Sequence, residues 1–238
     1  MRAVVLAGGQ GTRLRPYTTV LPKPLMPVGD RPILDIVMRQ LRHSGFERVT
    51  IATGYLAELI EVFFADGASY GLAIDYHRES DPLGTVGALA DIEGLDEPFL
   101  VMNGDVLTDL DYGALLRGHA QSGAAATISV TRREVQISLG VLETDNAEEP
   151  DRVTGWREKP RVPYDASMGV YCFSPVVLHH IERAVPLNLP DLVLRLVGAG
   201  ERVRAARTDA YWLDIGTPSD YEQATEAFER LRGRLLPD

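Results

Sequence analysis

The apolar run Ala3-Val4-Val5-Leu6-Ala7 passes directly into Gly8-Gly9-Gln10-Gly11-Thr12-Arg13-Leu14-Arg15-Pro16. Several glycines let the backbone turn tightly and aim N–H groups at an anion, so the string reads as a phosphate cradle. Neither of the two commonest glycine loops fits. A dinucleotide-binding G-x-G-x-x-G needs a third glycine where Leu14 stands, and a P-loop needs G-x-x-x-x-G-K-[ST]. Instead an arginine follows the glycines, and Lys23 arrives in Leu21-Pro22-Lys23-Pro24-Leu25. The proline on each side restricts the backbone around Lys23 and pre-aims its ammonium at the same phosphates. The alternative, a solvated lysine on a surface turn, is disfavoured by the glycine loop beside it.

Further strings follow in order: Leu83-Gly84-Thr85-Val86-Gly87-Ala88-Leu89, Asn103-Gly104-Asp105, Glu158-Lys159-Pro160 and Trp212-Leu213-Asp214-Ile215-Gly216-Thr217-Pro218. With the glycine loop and Pro-Lys-Pro they resemble the motifs of the sugar-1-phosphate nucleotidyltransferases, or nucleotide-sugar pyrophosphorylases, over nearly the whole chain. The likeness is to the short form, without the C-terminal left-handed β-helix of some members. It implies Mg²⁺-dependent transfer of a nucleotidyl group from a nucleoside triphosphate to a sugar 1-phosphate, giving a nucleotide-sugar and pyrophosphate.

The matched residues suit that chemistry. Two mutually repellent phosphorylated substrates must meet with the attacking oxygen, α-phosphorus and leaving pyrophosphate in line. Arg13 would stabilise charge developing on the triphosphate, and Lys23 would hold a phosphate on the α side. Asp105 and Asp214 would supply two hard carboxylates for Mg²⁺; the competing role for either is a helix N-cap. The resemblance assigns the nucleotide to Leu6, Ala7, Gly8, Gly9, Gly11, Thr12 and Arg13, with Glu79, Gly84, Thr85 and Gly104. It gives Glu158 the sugar hydroxyls, Lys159 the sugar phosphate, and Gly140 a close backbone approach to the sugar; an exposed Glu-Lys pair is the plainer reading. Ser167 and Gly169 complete that side, although the family often has Asn-Ala-Gly where this chain has Ser167-Met168-Gly169.

A carboxylate only accepts hydrogen bonds, so Glu79 at the base edge suits the N1–H and N2–H₂ donors of guanine. This favours GTP, with mannose 1-phosphate or a heptose 1-phosphate as acceptor. Uridylyl, thymidylyl or cytidylyl transfer to glucose 1-phosphate or another sugar 1-phosphate stays open, as main-chain groups read the base if Glu79 turns outward. A non-catalytic nucleotide-sugar sensor or regulatory subunit would have no need of Arg13, Lys23, Asp105 and Asp214 together. A Rossmann oxidoreductase would carry a ribose-binding acid where Ala52-Thr53-Gly54 stands. The attacking phosphate monoester, with a second pKa of about 6, is largely dianionic at neutral pH and needs no general base. The five histidines can therefore be bystanders. His179-His180 lacks metal-ligand spacing and reads as a surface or helix-end pair, so no zinc site is expected.

Strands are expected at Arg2–Leu6, Val49–Ala52, Leu72–Tyr76 and Phe99–Met102. Helices alternate with them, one after Pro32 stopped by Gly45, then Ala57–Ala65 and Val86–Ile92. This is a Rossmann-like, doubly wound α/β pattern: a mainly parallel mixed sheet with helices on both faces. Thr127–Thr131, Leu139–Glu143, Arg152–Glu158 and Met168–Phe173 read as a small antiparallel sugar-binding extension forming one wall of a cleft. Tyr221, Ala224, Phe228, Leu231 and Leu235 share one face of a terminal helix, which closes the core or makes a subunit contact in a homo-oligomer. The reading is one nucleotidyltransferase domain over 1–238: 1–110 mainly for the nucleotide, 111–220 mainly for the sugar phosphate, 218–238 the terminal helix.

Composition sets the outer bounds. The 238 residues hold 24 Lys+Arg and 34 Asp+Glu, a net charge of −10, with 45% hydrophobic residues. That is a soluble globular composition whose acidity disfavours nucleic acid and anionic membranes as partners, leaving small molecules. The single cysteine, Cys172, lies in an apolar stretch and reads as a buried structural thiol suited to the cytoplasm. No signal-peptide core or membrane span is expected.

Overall fold

Short β-rich runs separated by turn residues give a central sheet. The computed structural model describes residues 1–79, 81–144 and 151–236. Its strands are β1 (Arg2–Ala7), β2 (Pro27–Val28), β3 (Arg31–Pro32), β4 (Arg48–Thr53), β5 (Ala73–Arg78), β6 (Phe99–Asn103) and β7 (Val106–Thr108). There follow β8 (Ala126–Gln136), β9 (Val141–Thr144), β10 (Val153–Arg157), β11 (Arg161–Phe173), β12 (Val203–Arg207) and β13 (Trp212–Asp214). The helices are α1 (Ile33–His43), α2 (Ala57–Phe64), α3 (Tyr112–Ser122), α4 (Leu189–Gly198) and α5 (Pro218–Leu235).

Seven strands form the main sheet in the order β12-β8-β11-β6-β1-β4-β5. All neighbours pair parallel except β11, which is antiparallel to both β6 and β8. The sheet is thus mixed and mainly parallel, with helices on both faces. Side-chain alternation along each strand sorts the core into two groups. Ala3, Val5, Val49, Ile51, Leu100 and Met102 pack with Leu34, Met38, Ile60, Phe64 and Tyr112 from α1, α2 and α3. Val4, Phe99, Val101 and Phe173 point the other way, onto Val86, Leu89, Val177, Leu192 and Leu196. A third group, with Leu14, Ile36, Leu107, Ile215 and Phe228, lies beneath α5. Cys172 is fully buried, as expected.

One expected helix is corrected. Residues 86–92 do not form an α-helix; Gly87–Asp91 is a short 3₁₀ segment. Long-range contacts override the helical spacing: Val86 N–H donates to Leu187 O at 3.1 Å, and Leu187 N–H to Leu83 O at 2.9 Å. Gly84, at φ 74°, sits so close that a Cβ would lie 2.6 Å from Leu187 O.

The antiparallel extension is longer than its apolar cores suggest. β8 and β11 pair from Gln136↔Arg161 to Val130↔Ser167, then shift register before Tyr171 meets Ile128. Beyond the shift β11 joins β6, with Val170 opposite Met102. Gly169 makes the bend possible: its φ is 73°, and a Cβ would lie 2.8 Å from Asn103 Nδ2. The β9–β10 hairpin lies in this extension, with Trp156 opposite Leu142. Separately, β7 and β13 pair so that Asp214 faces Val106, the residue after Asp105. Among the described residues no helix is long and apolar enough to cross a membrane.

Candidate active site

Strand register fixes where the site lies. Ala7 pairs with Thr53, Thr53 with Arg78, and Leu6 with Asn103. The chain therefore leaves this carboxyl edge as Gly8, Gly54, Glu79 and Gly104-Asp105, where open α/β sheets bind ligands. Gly104 N–H donates to Leu6 O at 2.9 Å, holding the two exits together. The loop itself turns at Gly11, whose φ is 59° and whose carbonyl accepts from Thr18 Oγ1 at 2.8 Å. The Thr18 methyl would lie 2.9 Å from a Cβ on Gly11, so glycine is required there, whereas Gly9 faces open space. The short turn Thr12–Leu14 buries Leu14 and leaves Arg13 exposed.

The cations and carboxylates meet beside this loop. Pro22 and Pro24 shape a turn that buries Lys23, whose Nζ lies 2.5 Å from Asp105 Oδ2. The other oxygen, Asp105 Oδ1, is buried without a hydrogen-bond partner. Asp214 arrives on β13 from the other side. Burial raises its pKa above the ordinary 3.8 and the Asp105 charge adds to this, while Lys23 and Arg13 pull it back. The Arg13 guanidinium nitrogens lie 3.1 Å from the position of a Cβ on Gly216, two residues after Asp214. That segment is pinned by the start of α5: Asp220 Oδ2 accepts from Thr217 N–H at 2.8 Å and Gly216 N–H at 3.2 Å. Arg13, Lys23, Asp105 and Asp214 thus converge.

Two neighbouring carboxylates, one carrying an orphaned buried oxygen, suit a hard divalent cation. Among the described residues no group of three His, Cys, Asp or Glu side chains could hold a metal. An ion between Asp105 and Asp214 would complete its shell with water and substrate oxygens, the habit of Mg²⁺.

Glu79 stands at the glycine loop. Its Oε2 accepts from Leu83 N–H at 3.2 Å, and its Oε1 is 3.8 Å from where a Cβ on Gly8 would sit. The Thr85 hydroxyl is turned to structural use, accepting from Leu189 N–H at 2.8 Å and fastening the Gly84 loop to the start of α4. On the extension, Glu158 and Lys159 are exposed. The space over Gly140 holds the Trp156 indole, which a Cβ there would meet at 2.4 Å. Met168 is fully buried, which leaves exposed Ser167 as the outward side chain of Ser167-Met168-Gly169.

The model of the nucleotidyl transferase family matches residues 2–230. The chain belongs to this family. It is 36% identical over 225 residues to the mannose-1-phosphate guanylyltransferase of Mycobacterium tuberculosis, covering 92% of this chain and 62% of that protein. It is 34% identical over 244 residues to the UTP–glucose-1-phosphate uridylyltransferase of Synechocystis, covering 94% and 62% respectively. The chain thus spans less than two thirds of the length of these relatives. The crystal structure of HddC from Yersinia pseudotuberculosis complexed with GMP-PN matches with a TM-score of 0.71 at 28% identity, over 95% of this chain and 99% of that one. Membership of the family agrees with the expectation from the sequence motifs and not with the oxidoreductase alternative.

Two aromatic residues at the site have no part assigned by the motifs, although Trp212 opens one of them. Tyr171 is almost wholly buried, and its hydroxyl accepts from Ser167 Oγ at 3.3 Å. Burial raises its pKa, and the charges of Asp105 and Asp214 raise it further. Trp212 donates from Nε1 to Met168 O at 2.7 Å and lies under the Arg133 guanidinium, 5.3 Å from the ring centroid. The signal for Tyr171 was its spacing of two from Gly169 along a strand, masked by the apolar run Val170–Phe173 around it.

Proposed function

We propose that the chain catalyses nucleotidyl transfer from a nucleoside triphosphate to a sugar 1-phosphate in the cytoplasm, with 1–110 serving mainly the nucleotide and 111–220 mainly the sugar phosphate. The observation that carries this reading is the convergence of Arg13, Lys23, Asp105 and Asp214 beside the glycine loop. A protein that only bound nucleotide-sugar would have no use for two cations and two carboxylates along one reaction line.

The loop's N–H groups hold the triphosphate, with Gly9 free of side chain where phosphate oxygens must approach. Lys23 holds the α-phosphate and is itself held by Asp105, so its long side chain is already ordered before substrate arrives. Arg13 draws charge onto the departing pyrophosphate. Lys159 steers the sugar phosphate, and Glu158 accepts from sugar hydroxyls. The sugar phosphate attacks as its dianion, so no side chain takes a proton. Mg²⁺ between Asp105 and Asp214 would supply charge neutralisation across the phosphates.

For the base we favour guanine, and for the acceptor mannose 1-phosphate or a heptose 1-phosphate. Glu79 beside Gly8 offers an acceptor to guanine's donors, and the guanylyltransferase relative and the GMP-PN complex are in keeping with this. A second reading, uridylyl transfer to glucose 1-phosphate, draws on the Synechocystis relative and on Glu79's bond to Leu83 N–H, which partly spends the carboxylate. Pyrophosphate release from GTP, UTP, dTTP, CTP and ATP against mannose, glucose and heptose 1-phosphates separates them. GTP should win, and Glu79→Gln should narrow its lead over UTP. A clear UTP preference, or a lead unchanged in Glu79→Gln, removes the guanine argument.

A further inference from the structure

We propose that Trp156 is a positioning residue for sugar recognition: its indole N–H fixes the Glu158 carboxylate in the orientation that receives the sugar hydroxyls. This rests on the sugar-1-phosphate reading above and adds to it a residue that no motif assigns.

Trp156 is the penultimate residue of β10, and Glu158 is the first residue beyond the strand's end at Arg157. Trp156 Nε1 donates to Glu158 Oε2 at 3.2 Å. The indole is itself held. A Cβ on Gly140 would lie 2.4 Å from Cζ2 and 2.9 Å from Cε2, so the ring can rest on that backbone only because residue 140 is glycine. Leu142 flanks it as its direct partner across β9 and β10.

This clamped ring is nonetheless 63% exposed. A large aromatic left in water contributes little to the hairpin's stability, and a phenyl ring would cover Gly140 as well. What phenyl lacks is the donor. Glu158 is an exposed side chain with several rotatable bonds, so ordering it at the moment of binding costs conformational entropy. The indole N–H meets much of that cost in advance, and it leaves lone pairs on the carboxylate for the sugar. Once a sugar covers the pair and water leaves, the charge-assisted bond strengthens.

The test exploits ring geometry. In histidine Nε2 occupies the place that Nε1 has in the five-membered ring of tryptophan, so Trp156→His keeps a donor at the same reach, while Trp156→Phe keeps only the ring. Both changes are at an exposed position and leave the core intact. Steady-state pyrophosphate release should show the sugar 1-phosphate KM rising about tenfold in Trp156→Phe, the usual scale for losing an orienting partner. The triphosphate KM and kcat should stay within about twofold, and Trp156→His should recover most of the loss. A Trp156→Phe enzyme whose sugar-phosphate KM is unchanged, or a Trp156→His enzyme no better than Trp156→Phe, overturns the proposal while the transferase reading stands. A wild-type protein that releases no pyrophosphate with any sugar 1-phosphate overturns both.

Discussion

Asp214 is ionised at a cost in stability. Its folded pKa is raised, first by burial and then by the Asp105 charge. The stability tied to its protonation is therefore fully present below the unfolded pKa of about 3.9 and is lost as pH rises through the folded value. Ionised Asp214 is opposed by its burial and by the Asp105 charge, and an asparagine in its place removes both penalties. Asp214→Asn should abolish pyrophosphate release yet raise Tm, by about 2 °C or more. Mg²⁺ should raise the wild-type Tm and leave that of the variant unmoved, because it can stabilise only a state that holds it. Thermal melts with and without Mg²⁺ check this, and a variant less stable than wild type at neutral pH would contradict it.

At the scale of elements, the start of α5 does two tasks. Thr217 and Asp220 form a reciprocal cap, and Asp220 also holds the Gly216 N–H beside Arg13. Asp220→Ala should cost about 1 kcal/mol of stability, the ordinary loss for a cap. It should also lower kcat about tenfold through the loosened Asp214–Gly216 segment, and Asp220→Glu should restore much of both, since glutamate is the commoner partner in this box. Urea melts beside steady-state kinetics check it. In α3, buried His119 bonds Thr127 Oγ1 at 2.8 Å and Ser174 Oγ at 3.1 Å. Burial lowers its pKa below 6.5, and Arg204 adds to this. Its contribution is thus fully present above the unfolded value and is lost as pH falls through the folded one. Urea midpoints should drop as pH falls below about 6.5, and His119→Gln should flatten that slope.

Across the whole molecule, strands β1, β4 and β6 and helices α1, α2 and α5 were legible because periodicity and turn residues speak locally. Helix α3, absent from the expected elements, also carries local signals in Asp111 before it and Gly123 after it. What could not be read depends on distant partners. The segment after Gly84 has helical spacing, but contacts a hundred residues away hold it otherwise. β7 and β13 are three residues each, too short for any pattern to reveal, yet their pairing is what aligns Asp105 with Asp214. The charged outer halves of β8 and β11 carry no apolar alternation, so only their inner ends announced a strand. At the site, motif order found the residues that bear charge. It gave no part to Tyr171, Trp156 or to Trp212 at the head of its own motif, because their contacts depend on what lies across the fold.

The ion pair between Lys23 and Asp105 makes amine chemistry a footprint of this site. Lys23 and Lys159 are the chain's only lysines, every other side-chain cation being arginine or histidine. Lys23 is 8% exposed and engaged, whereas Lys159 is open to solvent. A succinimidyl ester should therefore acylate Lys159 and the Met1 amine first, and reach Lys23 only when its carboxylate partner lets go. Peptide mass mapping would then report on the two lysines separately: a sugar phosphate should shield Lys159, and Asp105→Asn should unmask Lys23.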